Sequence, residues 1–153
     1  MVTYEEIWDE PSLRKKIDDN SELIEFYNNL IHFSKDQIID IHFRVAKIGK
    51  TNKTGVRSDK YLEQIYNEFQ RNVKDRIDIF YIVTKVMKSI VRYRPFKDVN
   101  RRTLFETGQK ILRTCNLEMV MSEQEALEFK SALRPKPFKE VYKIVQAKAK
   151  RIS

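Results

Sequence analysis

The chain has 153 residues, of which 41% are hydrophobic and 34% charged, a balance typical of one globular domain rather than a disordered chain. Three glycines and four prolines are few for an all-β fold, and a single cysteine, Cys115, excludes an internal disulfide. We therefore expect an all-α, single-domain protein. No apolar run approaches the roughly 18 residues of a membrane span, so we expect a cytoplasmic protein without a membrane partner.

Charge is distributed unevenly along the chain. Residues 1–40 carry a net charge of −6, whereas residues 41–153 carry +14. A basic main body predicts an anionic partner, which could be a nucleotide, a nucleic acid or an acidic protein surface. The alternatives are a solvated surface of lysine and arginine, and an acidic N-terminal part that folds back on the basic body.

The first half of the chain predicts three helices. An N-terminal helical part, residues 1–33, includes a helix that begins near Ser21. A second helix begins at Ser34, where the serine and a glutamine three residues later form a capping box. A third begins at Ser58, after the polar loop 49–56. Apolar positions recur at helical spacing in all three: Leu23, Phe26, Tyr27, Leu30; Ile38, Ile41, His42, Val45; Leu62, Ile65, Tyr66, Phe69.

Residues 75–93 have the strongest helical periodicity, and Pro95 ends this helix because a residue before proline avoids helical geometry. A second long helix runs from near Val99 to Cys115. We expect these two helices to form the core pair. Gly108 within the second predicts close packing against a neighbouring helix.

Two shorter helices complete the chain. A capping box at Ser122 opens a helix through Leu133, and Pro135 and Pro137 separate it from a C-terminal helix, residues 138–151. Nothing in the sequence indicates a repeat or a linker that would divide the chain.

The turn between the two long helices carries the candidate chemistry. Asn100, Arg101 and Arg102 lie in the first turn of a helix, where free N–H groups and the helix dipole bind anions and where acidic side chains are preferred. Two arginines there predict a bound phosphate. Asp98 could cap the helix or hold Mg²⁺ beside that phosphate. The alternative is that Asp98 is an N-cap, Asn100 satisfies the turn, and both arginines point into water.

The same segment resembles the signature of the Fic/Doc (Fido) proteins, His-x-Phe-x-Asp/Glu-Gly/Ala-Asn-Gly/Lys-Arg. Residues 94–102 read R-P-F-K-D-V-N-R-R. Residues 39–42 and 55–63 resemble segments of the Doc branch in the same order, so the similarity covers roughly residues 35–120. It implies one helical-bundle domain, residues 1–153, with a family core over residues 34–133 and the motif between two central helices. The matching positions are Pro95, Phe96, Asp98, Asn100 and Arg102.

The resemblance also implies an activity and a set of roles. Fic/Doc proteins transfer AMP, phosphate or related groups onto a protein hydroxyl, which implies ATP or another nucleotide with Mg²⁺, a target protein and an antitoxin-like partner. By resemblance, Asp98 coordinates Mg²⁺, Asn100 and nearby N–H groups form the anion hole, and Arg102 grips a phosphate. Arg101 keeps the positive charge of the Doc branch. The family's target-positioning flap falls near residues 48–57.

Arg94 stands where the family has a histidine that acts as general base. A guanidinium cannot accept a proton at neutral pH, and loss of a general base costs about 10²–10⁴-fold in rate. We therefore expect a nucleotide- or phosphate-binding protein whose transferase activity is weak or lost. One alternative is an active, toxin-like transferase, because phosphoryl transfer depends mainly on positioning. Another is a basic module that binds nucleic acid or protein. His42, on an apolar helix face, is expected to be a hydrogen-bonded core histidine.

Overall fold

The computed structural model describes residues 4–152, so the predicted N-terminal part, residues 1–33, begins outside the described residues. Eight α-helices and one pair of short antiparallel strands form the fold within that range, which confirms the all-α prediction. The elements are α1 (Tyr4–Trp8), α2 (Tyr27–Ile31), α3 (Lys35–Ile48), α4 (Asp59–Lys74), α5 (Ile79–Tyr93), α6 (Asn100–Thr114), β1 (Leu117–Met119), α7 (Glu123–Ala132), α8 (Phe138–Lys148) and β2 (Ala149–Arg151). None of the described helices combines the length and apolar character needed to cross a bilayer.

Helix α5 is the centre of the core and packs mainly against α6, α8 and α4. Its residues Ile82, Val86 and Ile90 are buried, as the periodicity predicts. Gly108 of α6 lies where a Cβ atom would come within 2.8 Å of the Met87 sulfur, which confirms the predicted close packing of α6 on α5. The two long helices are therefore the core pair.

Helix α5 begins later than the sequence predicts, at Ile79 rather than at residue 75. Arg76 has a left-handed backbone with φ of 55°, which a continuous helix does not allow. Asp78 then caps α5, because its carboxylate accepts a hydrogen bond from the Phe80 N–H. Ile77 is buried in this turn and forms a β-bridge with the N-terminal segment. Its apolar side chain therefore adds to the helical periodicity of the sequence although the residue lies outside the helix.

The remaining boundaries follow local signals only in part. The capping boxes at Ser34 and Ser122 are both present. Near Ser21 the predicted helix is replaced by a 3-10 turn, Ile24–Phe26, followed by the five-residue α2. The predicted C-terminal helix over residues 138–151 ends at Lys148, because the last three of those residues pair with β1 as β2.

The acidic N-terminal segment folds back on the body of the protein. Asp9 accepts hydrogen bonds from the Tyr81 hydroxyl (2.8 Å) and the Lys85 ammonium (2.9 Å), both on α5. Arg14 makes the reverse pairing, with its guanidinium 2.8 Å from the Asp75 carboxylate. These contacts confirm part of the fold-back alternative, since one acidic side chain of the segment neutralises a basic group of the core helix.

Candidate functional site

The turn between α5 and α6, residues 94–99, begins and ends with a left-handed residue. Arg94 has φ of 47° and follows α5, and Val99 has φ of 50° and precedes α6. A left-handed backbone is uncommon for residues other than glycine and is an outlier for a β-branched residue such as Val99. Val99 therefore adopts a backbone conformation that is less strained for the glycine or alanine found at this position of the Fic/Doc signature.

Phe96 and Asn100 fix the shape of this turn. The Phe96 side chain is buried in the core. The Asn100 side chain is also buried, and it accepts a hydrogen bond from the Phe96 N–H (3.1 Å) while donating one to the Phe96 carbonyl (2.9 Å). Both polar atoms of the Asn100 side chain are thus used within the turn.

Asp98 does not cap α6, so the N-cap role predicted for Asp98 is wrong. Its carboxylate accepts hydrogen bonds from the Val99 N–H (2.8 Å) and the Thr51 hydroxyl (2.9 Å), and Val99 is the N-cap without any side-chain cap bond. The same two hydrogen bonds lower the pKa of Asp98, which is therefore ionised at neutral pH. No acidic residue lies in the first turn of α6. A carboxylate therefore lies beside an uncapped helix start.

A loop from the first half of the chain, residues 50–58, lies along the turn. Val56 and Phe96 form an isolated antiparallel bridge, and the Lys97 N–H donates to the Gly55 carbonyl at 3.0 Å. Gly55 has φ of 103°, which suits only glycine. This loop occupies the segment that the resemblance assigns to a flap.

Arg57 ties the loop to the end of α5. Its N–H donates to the Pro95 carbonyl at 2.7 Å, and its guanidinium donates to the Arg94 carbonyl at 2.7 Å and the Tyr93 carbonyl at 2.5 Å. The last carbonyls of a helix have no partner within the helix, so Arg57 supplies one. Sequence reasoning missed this role, although the Gly-Val-Arg run in a loop with two glycines is a local signal for a structured turn.

His42 is a hydrogen-bonded core histidine, as predicted. Its ring is buried and stacks on Phe96, with centroids 4.2 Å apart and planes 11° from parallel. Its Nε2 accepts the Gly55 N–H at 2.9 Å, and its Nδ1 lies 3.3 Å from the Thr103 hydroxyl. Burial lowers the pKa of His42 more than Asp98 raises it, so the ring is neutral at pH 7. Because both ring nitrogens are engaged, His42 is not available as a general base.

The arginines of the motif point in different directions. Arg102 lines a cavity of about 830 Å³ between α3, α6 and α7, and its guanidinium lies close to Gly49 at the end of α3. Arg101 lines a second cavity, of about 570 Å³, with Trp8 and Arg134. Both side chains are exposed, as is Arg94, whose charge helps to lower the pKa of Asp98. A single anion site over Asn100, Arg101 and Arg102 thus stays a prediction, and the structure gives the two guanidinium groups different neighbours.

Asp98 is the residue that could take part in binding Mg²⁺. Within residues 4–152 no three His, Cys, Asp or Glu side chains form a cluster that could hold a metal ion. Mg²⁺ commonly binds through one or two carboxylates together with substrate phosphates and water. The ionised Asp98 fits that mode, in which nucleotide phosphates supply the other ligands. It does not fit a metal ion held by protein groups alone.

Comparison with known proteins adds no family to this description. No protein-family model matches the chain, and no curated protein is a significant match to it.

Proposed function

We propose that the turn between α5 and α6 binds the phosphates of a nucleotide, ATP or another, together with Mg²⁺, in the manner of the Fic/Doc proteins that its motif resembles. The observation that carries the proposal is the ionised Asp98 beside the uncapped, acid-free start of α6. The helix start supplies N–H donors for a phosphate, and the carboxylate supplies one ligand for the accompanying Mg²⁺. Arg102, in the first turn of the motif helix, supplies a positive charge.

We further propose that transfer from this nucleotide to a protein hydroxyl is weak or absent. Transfer requires that the hydroxyl lose its proton as the new phosphate ester bond forms. Arg94 occupies the position of the family's base, and a guanidinium does not accept that proton. The Arg94 side chain is exposed and its positive charge lowers the pKa of Asp98. Its role in this proposal is therefore to strengthen anion binding.

Calorimetric titration with ATP and Mg²⁺ tests the binding site. Arg102→Glu should weaken ATP binding by at least about tenfold, or about 1.4 kcal/mol, because hydrogen bonds to charged groups contribute about 1.5–3 kcal/mol. Lys139→Glu is the matched control, since Lys139 is an exposed cation on α8 and lines neither cavity. Equal affinities for ATP in all three proteins would refute the proposed site.

Labelled ATP tests the missing base. Arg94→His should produce measurable modification of the protein itself or of a target in cell lysate, where the wild type shows little. Transfer by the wild type that survives Arg94→Ala would show that the protein is an active transferase without this base, the alternative that the sequence leaves open.

A second candidate function is recognition of a protein partner in the larger cavity, the α3–α7 groove. Ile48 and Leu127 line it and are 78% and 57% exposed, an unusual exposure for large apolar side chains in one place. Basic side chains outnumber acidic ones around it: Arg44, Arg102, Lys110, Arg113 and Lys130 against Glu106 and Glu123. An acidic amphipathic peptide should bind there and lose at least about tenfold in affinity in Leu127→Glu, with ATP binding unchanged. Failure of that peptide to bind the wild type would remove this candidate.

A further inference from the structure

A hollow on another side of the motif helix is independent of the nucleotide site proposed above. It lies between α1, the first turn of α6 and the end of α7, and its volume is about 570 Å³. That volume is within the range of small-molecule sites, about 300–1,000 Å³. Its lining residues are Ile7, Trp8, Arg101, Ser131, Arg134 and Pro135.

Two positive side chains lie at the edge of this hollow. Arg101 and Arg134 are exposed at its edge, and neither forms an ion pair or a side-chain hydrogen bond with any residue in the described part of the chain. Two guanidinium groups at one hollow match the oxygens of a phosphate, since each presents several N–H donors in a planar fork.

A third cation lies behind the indole wall of the hollow. Lys88 of α5 is 1% exposed, and its ammonium is 5.0 Å from the centre of the Trp8 ring. Within residues 4–152 its one hydrogen bond goes to the carbonyl oxygen of Lys136, next to Pro135 of the lining. An ammonium has three N–H donors, and a buried cation ordinarily has a carboxylate partner. The excess positive charge therefore extends from the edge of the hollow into its inner wall.

We propose that this hollow binds a small organic phosphate. Arg101 and Arg134 hold the phosphate oxygens, and the Ser131 hydroxyl supplies a further donor. The apolar wall formed by Ile7, Trp8 and Pro135 contacts the organic part of the ligand. The walls favour an ester over inorganic phosphate, because an apolar group placed against them leaves water.

This site differs from the nucleotide site in the arginine it uses. Arg102 lines the α3–α7 groove and does not line the hollow. The two proposals can therefore fail separately. A phosphate bound in the hollow also brings negative charge toward Lys88, whose pKa burial lowers to about 8. Binding near pH 8 should therefore be accompanied by proton uptake.

Titration calorimetry with phenyl phosphate tests the proposal. Arg101→Gln and Arg134→Gln should each weaken binding by at least about tenfold. Lys139→Gln should change it less than about twofold, because Lys139 is an exposed cation on α8 that lines neither cavity. Inorganic phosphate should bind more weakly than phenyl phosphate. Near pH 8, two buffers of different ionisation enthalpy should reveal proton uptake in the wild type and none in Lys88→Met.

Three results would overturn the assignment. One is no binding of phenyl phosphate by the wild type at concentrations up to about 10 mM. Another is loss of binding in Arg102→Gln with binding intact in Arg134→Gln, which would move the phosphate to the other site. The third is equal affinity for phenyl phosphate and inorganic phosphate, which would exclude a role for the apolar wall. Thermal unfolding of each variant checks that the fold is retained. We expect it to be retained, because the exchanged arginines are exposed.

Discussion

Protonation of His42 should detach the loop 50–58 from the turn that follows α5. The Nε2 atom of the ring accepts the Gly55 N–H at 2.9 Å, so a proton on Nε2 would set two N–H groups against each other. The other ring nitrogen faces the Thr103 hydroxyl, which can accept or donate. Acidification therefore removes one hydrogen bond and leaves the Gly55 N–H without its acceptor, a loss of about 1–3 kcal/mol.

The direction of the pH dependence follows from the pKa of His42. Burial lowers it below 6.5, so near that pH the unfolded chain binds a proton that the folded chain does not. The free energy of unfolding should fall as the pH drops from 6.5 toward the lowered pKa and should level off below it. Asp98 faces the same ring, but its lowered pKa places its own loss of stability at a more acidic pH. Burial raises the pKa of Asp78, so protonation of Asp78 has the opposite effect and increases the free energy of unfolding on acidification.

Urea unfolding from about pH 7.5 to about pH 5 measures the effect against a matched variant. His42→Gln keeps a possible acceptor for Gly55 but does not titrate. His32→Gln is the control, because His32 is exposed and remote from the loop in the sequence. Wild type and His32→Gln should lose up to about 2 kcal/mol more than His42→Gln over this range, because one proton bound only by the unfolded chain changes the free energy of unfolding by at most about 1.36 kcal/mol per pH unit. Hydrogen exchange of the Gly55 amide should show loss of protection over the same interval.

The reasoning is refuted if wild type and His42→Gln lose the same free energy of unfolding on acidification. Unchanged protection of the Gly55 amide between pH values near 7.5 and 5 would also refute it, because it would show that protonation leaves the loop in place.

Three further substitutions probe the core. In the wild type, the free energy of unfolding should rise by up to about 3 kcal/mol between about pH 8 and about pH 10.5, because the unfolded lysine binds a proton there that the buried one, with its pKa lowered to about 8, does not. Lys88→Met should abolish this rise. Urea unfolding across the range measures it, and a rise that survives in the variant would contradict the prediction. Thr107→Val should raise the free energy of unfolding by about 1 kcal/mol, because the buried Thr107 hydroxyl has no partner within the described residues; destabilisation in urea would contradict this. Gly108→Val should lower it by about 1–3 kcal/mol, since even a Cβ atom there comes within 2.8 Å of the Met87 sulfur; an unchanged melting temperature would show that Met87 moves aside.

Helices bounded by a capping box or by a proline were predictable from the sequence. The serine caps at Ser34 and Ser122 and the proline after α5 act within one turn of the chain, so their effect does not depend on the rest of the fold. The start of α5 was not predictable in this way. Ile77 is buried because the segment around Lys16 lies over it, and helical periodicity cannot distinguish that burial from burial on a helix face.

The turn between the two core helices was predictable, but the geometry within it was not. Arg101 and Arg102 are adjacent in sequence, yet consecutive residues of a helix point about 100° apart, so neighbours along the chain do not share a face. The partners of the turn, Thr51 and Arg57, lie some 40 residues before it and reach it only through the packing of α3 and α4. The strands β1 and β2 likewise depend on pairing across the chain.

Arg57 makes a surface loop and a core helix parts of one cooperative unit. Its guanidinium holds the carbonyls of Tyr93 and Arg94, so the loop 50–58 cannot leave without exposing the end of α5. Opening of the loop and fraying of that helix end therefore occur together, as one event with a single opening free energy. A substitution in the loop changes the local stability of the buried helix, and a ligand that holds the turn in place slows exchange of amide protons in a loop that it does not touch.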